Sequence, residues 1–246
     1  MIDSLQLLHG CDYRVNDYLS IHHPMLSEIC DCGEQAYYRS ISSLCATPSD
    51  YKSMLWDNFK KCWEDVDEFE FFATMKDIAD SNSIKLLFGD FPLKNMILAK
   101  NNNTSDIVLY DPNSGLFLDR VAYMMSVDFL RTIHGITKNC DKAGNQSTME
   151  YLINKDRRSL SRRSTKNEGS NLALLVSSMV NCEHFKYDYS GVWDLHIYQF
   201  MDSVRRIRKL QEYNHLVSGV YAGTVDTSKI SKDAFNWMGK IDIHEN

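Results

Sequence analysis

The sequence has few prolines and glycines and no apolar run long enough to cross a membrane. Four prolines and eleven glycines among 246 residues argue against a repeated β-sandwich and against a low-complexity tail. The longest apolar run, residues 172–180, contains two serines and reaches only about half of the ~20 residues that a transmembrane helix needs. We therefore expect a globular chain that makes no membrane contact.

Signals for export and for the common enzyme classes are missing as well. The N-terminus has no positively charged segment ahead of an apolar one, as a secretory signal would. The seven cysteines are odd in number and lack the regular spacing of a disulfide framework, which indicates a reducing cytoplasm. The patterns GxxxxGK(S/T), GxGxxG, GxSxG and HExxH are all absent. The sequence therefore predicts neither an enzyme nor a bound cofactor.

The charge distribution contains one basic stretch within an acidic whole. The formal net charge is −6, whereas a dedicated nucleic-acid-binding protein is usually basic. The run from residue 155 to residue 166 is nevertheless rich in arginine and lysine, which can neutralise phosphates. It contains no aromatic residue on which bases could stack, and cations also suit the carboxyl end of a helix. A solvated helix face or a protein contact is the favoured interpretation of this basic run, and a nucleic-acid-binding regulator is the alternative.

Hydrophobic periodicity predicts a mainly α, α+β protein, namely a helical bundle with a small antiparallel β-sheet in the middle of the chain. Apolar residues three and four apart predict helices near residues 34–44, 50–63, 71–80, 119–134, 145–163, 171–185, 190–222 and 231–238. Short apolar runs between turn residues predict strands at 85–88, 95–99, 107–110 and 116–118. The segments Asn101–Ser105 and Asp111–Gly115 have the composition of hairpin turns.

The same pattern suggests how the helices are arranged. The helix at 119–134 is apolar almost all round, which indicates burial. The apolar stripe from Ile197 to Val220 is interpreted as core in preference to a partner surface. The polar segment 164–170 is the best candidate for a mobile linker. We predict an N-terminal part with helices and the small sheet (1–138) and a C-terminal helical part (139–246), with one continuous domain as the alternative.

Two loose groups of chemically active side chains occur, of which only the first resembles a metal site and the second is weighed as a catalytic cluster. The first comprises His22, His23, Cys30, Asp31 and Cys32, and the second comprises Cys182, His184, Asp188, Asp194 and His196. Structural zinc sites favour cysteines separated by two to four residues with a second matching pair, whereas one residue separates Cys30 from Cys32 and no second pair is present. Asp194 and His196 are two positions apart and do not share a helix face, so a loop leading into a helix explains the second group. No metal site is predicted.

Both ends of the chain resemble proteins encoded in the structural gene modules of tailed phages that infect low-GC bacteria. Near the N-terminus the resemblance is carried by the pattern P-x-x-x-E-I…G-E-x-x-Y, here Pro24, Glu28, Ile29, Gly33, Glu34 and Tyr37. Near the C-terminus it is carried by Val192-Trp193-Asp194, by Met201, Ser203 and Arg206, and by Asn236-Trp237-Met238-Gly239-Lys240. Together the two stretches cover about half of the chain, and neither is a catalytic signature.

The resemblance implies a role in phage tail or baseplate assembly, either as a tail assembly chaperone or as a minor virion component. The expected partners are other tail or baseplate proteins or a second copy of the chain, with nucleic acid disfavoured. The expected location is the host bacterial cytoplasm during assembly, or the virion if the chain is retained there. The candidate contact residues are Arg157, Arg158, Arg162, Arg163, Arg205, Arg206, Trp237 and Met238. An unrecognised enzyme is the remaining rival.

Overall fold

A computed structural model describes residues 2–101, 105–164 and 170–239. In these ranges the helices are α1 (Ser4–His9), α2 (Leu26–Cys32), α3 (Glu34–Leu44), α4 (Lys52–Phe59), α5 (Glu68–Met75), α6 (Ser81–Phe88), α7 (Arg120–His134), α8 (Gln146–Ser164), α9 (Asn171–Val180) and α10 (Ile197–Tyr221). The strands are β1 (Tyr13–Arg14), β2 (Ser20–Ile21), β3 (Ile97–Lys100), β4 (Ile107–Tyr110) and β5 (Phe117–Leu118). The predicted fold class, α+β and mainly α, is confirmed.

Side-chain caps determine where several helices begin. The carboxylates of Asp67, Asp80 and Asp119 accept hydrogen bonds from the first free backbone N–H groups of α5, α6 and α7. The cap at Asp80 corrects one prediction, because residues 85–88 are the last turn of α6 and not a strand. A run of four apolar or long side chains is compatible with the two-residue period of a strand and with the 3.6-residue period of a helix. The capped start at Ser81 favours the helix.

The strands form two antiparallel sheets. A two-stranded ribbon, β1–β2, lies near the N-terminus, and a three-stranded sheet of order β3-β4-β5 lies in the middle of the chain, as predicted. The turn between β4 and β5 has the expected chemistry, since Asp111 accepts from the N–H of Ser114 and Gly115 has a φ of +74°. The other predicted hairpin turn includes residues 102–104, which lie outside the described residues.

One large core joins most of the helices, and a smaller one lies beneath α8. The large core includes Leu26 and Phe129 from the first 138 residues and Leu172 and Phe200 from the remainder. The smaller core, around Trp63, lies among α4, α5 and α8. Helix α7 departs from the prediction of all-round burial, because its Val121 and Met124 are more than half exposed. Its apolar residues on that side therefore face solvent.

The C-terminal arm, residues 201–239, leaves the large core gradually, since Met201, Val204 and Ile207 are half-buried and still pack against its edge. Helix α10 is about 37 Å long and begins at Ile197 instead of the predicted Ser190, because residues 191–194 form a separate 3-10 turn. Within α10 only Ile197, Tyr198 and Phe200 are buried, so the predicted core stripe is only half-buried from Val204 onward. Residues 224–239, here called the return segment, then run back along α10 towards its middle.

Candidate protein-binding surface

The two arginines predicted on α10 make contacts within the chain. The guanidinium of Arg206 donates to the carbonyl oxygen of Gly239 at 2.9 Å and lies 3.9 Å from the carboxylate of Asp202. The guanidinium of Arg205 lies 5.8 Å from the centre of the Tyr198 ring. Arg206 therefore fastens the far end of the return segment to the middle of α10, and Arg205 covers an aromatic ring near the start of that helix.

The apolar side chains of the arm face solvent. Tyr221 at the end of α10 is 88% exposed, and Trp237 and Met238 on the return segment are 41% and 71% exposed. None of the residues of the arm whose side chains are described is buried. Exposed aromatic and methionine side chains are enriched at protein–protein contacts, because they contribute large apolar area on binding. Trp237 and Met238 thus lie where a partner can reach them.

The basic run on α8 is divided between two faces. Arg157 forms an ion pair with Asp57 of α4 and donates to Asn154, and on the same side Asp156 accepts from the N–H and hydroxyl of Ser53. Arg158 is exposed and its side chain has no partner among the described residues. The side chains of Arg162 and Arg163 lie outside the described residues, as do residues 165–169 of the predicted linker (164–170), whose ends belong to α8 and to the cap of α9. Arg157 thus holds α8 against α4.

Glu34 joins the N-terminal helices to the C-terminal ones. Its carboxylate accepts from the hydroxyl of Ser170 and from the N–H of Leu172 at 2.9 Å, at the first turn of α9. Beside this contact lies an open groove of about 660 Å³, lined by Tyr38 and Arg39 on one side and by apolar residues of α9 and α10 on the other. The described lining of the groove contains no histidine or cysteine.

The first predicted ligand group is instead a hydrogen-bonded junction between N-terminal elements. Nδ1 of His22 lies 2.8 Å from a carboxylate oxygen of Asp12 and Nε2 lies 2.9 Å from one of Glu28, so the ring donates to both when it is protonated. Burial opposes the charged ring, but the two carboxylates outweigh it and raise the pKa of His22. Cys30 is exposed, and Cys32 contacts a serine hydroxyl of α6. Among the described residues no group of three or more such side chains is arranged to hold a metal ion.

His23 and His196, here called the histidine junction, fasten the start of α10 to the N-terminal segment. Their ring centroids are 4.8 Å apart, and Nδ1 of His196 donates to the carbonyl oxygen of His23. His23 is fully buried, and its Nε2 accepts from the N–H of Tyr198 at 3.4 Å. Burial, with the nearby His196 and His134, lowers the pKa of His23 to about 3. His23 is therefore neutral at pH 7.

Sequence reasoning missed the histidine junction, because the two histidines are 173 positions apart. His23 belongs to the group weighed as a metal site and His196 to the group weighed as a catalytic cluster, and no local spacing indicates their contact. Gly10 completes the junction, since a Cβ atom there would lie 2.2 Å from the ring of His196. The arrangement fixes the first turn of α10, so the exposed side chains of the arm belong to a helix whose start is held in place.

Comparison with known proteins is limited to the C-terminal third of the chain. Residues 163–242 match the family described as the YomV second domain. No curated protein and no solved structure matches the chain. No helix among the described residues is long and apolar enough to span a membrane. The matched region contains α9, α10 and the whole described arm, and the family name is of phage origin, which hints at a phage protein.

Proposed function

We propose that this chain is a phage protein that takes part in tail or baseplate assembly by protein–protein contact through its C-terminal arm. It acts without catalysis, either as an assembly chaperone or as a minor virion component. Its partners are other tail or baseplate proteins, which it meets in the host bacterial cytoplasm. The observation that carries the proposal is an arm without buried side chains that nevertheless displays Tyr221, Trp237 and Met238.

Solvent exposure limits how much the apolar side chains of the arm stabilise the isolated chain. A half-exposed apolar stripe and exposed aromatic side chains stabilise the isolated chain little, because apolar side chains contribute by leaving water. The same side chains contribute fully when a partner covers them. The arm also lies within the region that matches a phage-associated family, and the chain resembles tail-module proteins at both ends. The C-terminal part of that resemblance lies inside the matched region, and the N-terminal part adds support from outside it.

Deletion of the gene tests the assembly role directly. The deletion should leave genome replication and head formation intact but yield heads without functional tails. Normal tailed particles from the deletion would contradict the proposal. Mass spectrometry of purified wild-type particles separates the two forms of the role, because a chaperone leaves the particle and a component stays in it.

Point variants locate the contact on the arm. The double substitution Trp237→Ala with Met238→Ala should reduce the yield of tailed particles by about tenfold or more, since central anchors of an interface cost about 2 kcal/mol or more when truncated. The matched control is Val121→Ala, which shortens an exposed apolar side chain on α7 of the body. Equal losses from both variants would remove the arm from the proposal.

The nucleic-acid alternative has its own test on the basic run. If salt-sensitive DNA binding disappeared when the four arginines of the basic run became alanine, that alternative would be favoured instead.

A further inference from the structure

A row of exposed apolar side chains crosses one face of the three-stranded sheet. The strand register places Ile97, Tyr110 and Phe117 directly opposite one another, so their side chains point to the same face. Ile97 is 56% exposed, and the two aromatic residues are 37% exposed each. The ring of Tyr18 continues the row, with its centroid 6.1 Å from that of Phe117. Contiguous apolar surface of this kind marks interaction sites on soluble proteins.

Negative charge borders this aromatic row (Ile97, Tyr110, Phe117 and Tyr18). The row ends at an open depression that is lined by Asp12 and Asp90 together with Tyr18. The carboxylate of Asp12 already contacts the imidazole of His22. The carboxylate of Asp90 is exposed and has no hydrogen-bond or ion-pair partner among the described residues. The row therefore combines apolar side chains with a carboxylate that is free to meet a cation.

The outer face of α8 has the opposite charge and its own aromatic side chain. Tyr151, Lys155 and Arg158 recur at intervals of four and three, so they lie along the same side of the helix. That side points away from α4, because Ile153 and Asp156 face α4 and its surroundings. Tyr151 is 65% exposed, and neither Lys155 nor Arg158 has a side-chain partner among the described residues.

We propose that the aromatic row and Asp90 of one copy bind the outer face of α8 of a second copy. Tyr151 packs against the row, and Lys155 and Arg158 meet Asp90 and the faces of the exposed tyrosine rings. Because each copy carries both surfaces, a head-to-tail contact leaves one of each free, and such contacts continue from copy to copy into a ring or an open chain. Both surfaces lie outside the arm, so this inference does not rest on the proposed function.

Charge reversal tests the contact in the full-length chain by sedimentation velocity at low salt. The wild-type chain should self-associate in a concentration-dependent and salt-sensitive manner, because the ion pairs are screened as salt rises. Asp90→Arg and Arg158→Asp should each weaken self-association by about tenfold or more. An equimolar mixture of the two variants should restore it, since the new arginine then faces the new aspartate and the unchanged residues face each other. A folding defect in either variant would not be repaired by mixing.

Controls separate this contact from a general charge effect. Glu183→Arg and Lys186→Asp make the same charge changes at exposed positions away from both surfaces and should leave self-association unchanged. Ile97→Thr keeps a β-branched residue in the strand and should weaken self-association through the lost apolar contact. A wild-type chain that stays monomeric at every concentration and at low salt overturns the proposal. So does a mixture that associates no better than its separate components, or a control variant that weakens association as strongly as Asp90→Arg.

Discussion

Helix α10 passes from the body of the protein, residues 2–200, into the C-terminal arm without a change in its apolar pattern. Ile197 and Phe200 lie in the large core, whereas Val204 and Leu210 on the same stripe are only half-buried. The spacing of apolar residues thus specifies which side of a helix is apolar, and other elements decide whether that side is covered. In the body many elements converge on the stripe, whereas along the arm Val204 and Ile207 reach only the edge of the large core and the return segment packs beside the helix.

The contacts that hold the two regions also differ in sequence range. The body is joined by contacts between distant residues, such as Glu34 with Leu172 and the guanidinium of Arg131 with the carbonyl oxygen of Cys45. The return segment is held mainly by local bonds, for example from Ser228 to Asp226. We therefore expect the body to open only with global unfolding, and the arm to open at a much smaller free-energy cost.

Truncation of one side chain on each part of α10 should give the largest difference between the regions. Phe200→Ala removes a fully buried ring and should lower the free energy of unfolding by about 3–5 kcal/mol. Leu210→Ala on the arm should lower it by about 1 kcal/mol, because the side chain is already half-exposed. Urea denaturation of both variants measures the two values. Equal losses would mean that the arm belongs to the same cooperative core as the body.

Glycine substitution should give the next largest effect. Gly10 and Gly223 both have positive φ, +84° and +70°, but only Gly10 faces a side chain, the ring of His196. Gly10→Ala should therefore cost about 2–4 kcal/mol, since the strained backbone is combined with an overlap that displaces the ring. Gly223→Ala in the arm meets open space and should cost only the backbone strain, about 1–2 kcal/mol. Similar thermal unfolding shifts for both variants would argue against a tightly packed histidine junction.

Local chemistry made much of the fold predictable from the sequence. Asp119 and Gly135 mark the ends of α7, and the residues from Asp111 to Gly115 mark the turn between β4 and β5. The prediction failed where one short apolar run was compatible with two periods, as at residues 85–88. It also failed where burial depends on distant elements, as along α7, because the sequence does not reveal which neighbours arrive.

The candidate site was predictable to a smaller extent for the same reason. The sequence predicts a short helix that carries Trp237 and Met238, and its pattern favours core residues over exposed anchors, whereas both side chains are exposed. The partners of the predicted arginines did not follow from spacing, since Arg157 meets a residue 100 positions away and Arg206 meets one 33 positions away. The histidine junction is the least predictable contact, because its two members are 173 positions apart.

Acidification should weaken the body through its buried histidines. His23 has a pKa of about 3 in the folded chain against an ordinary value of 6.5, and burial lowers the pKa of His134 to about 4. Their contribution is present above pH 6.5 and is lost as the pH falls, because the unfolded chain takes up protons first. His22 has a raised pKa and acts in the opposite sense, so its contribution is lost as the pH rises.

From pH 7 to pH 5 the contribution of His23 alone should fall by about 2 kcal/mol. The measurement is the free energy of unfolding in urea at several pH values. His23→Gln should flatten this dependence, and the control His215→Gln, at an exposed position on the arm, should leave it as in the wild type. A dependence that is unchanged in His23→Gln would show that other groups carry the acid sensitivity.

The hydrogen bond from Arg206 to Gly239 ties the end of the return segment to α10. Its loss should change the global stability least of all, but it should clearly increase local opening of the return segment. Arg206→Ala removes the donor to the carbonyl oxygen of Gly239, and the global free energy of unfolding should change by less than about 1 kcal/mol. Amide hydrogen exchange should accelerate in residues 224–239 and stay unchanged in the core helices of the body, because the arm opens separately. Arg208→Ala is the matched control, since its ion pair with Glu212 lies within α10 and does not touch the return segment. If Arg206→Ala accelerated exchange in α3 or α7 as well, the arm and the body would form one cooperative unit, and the division between them drawn from burial would be wrong.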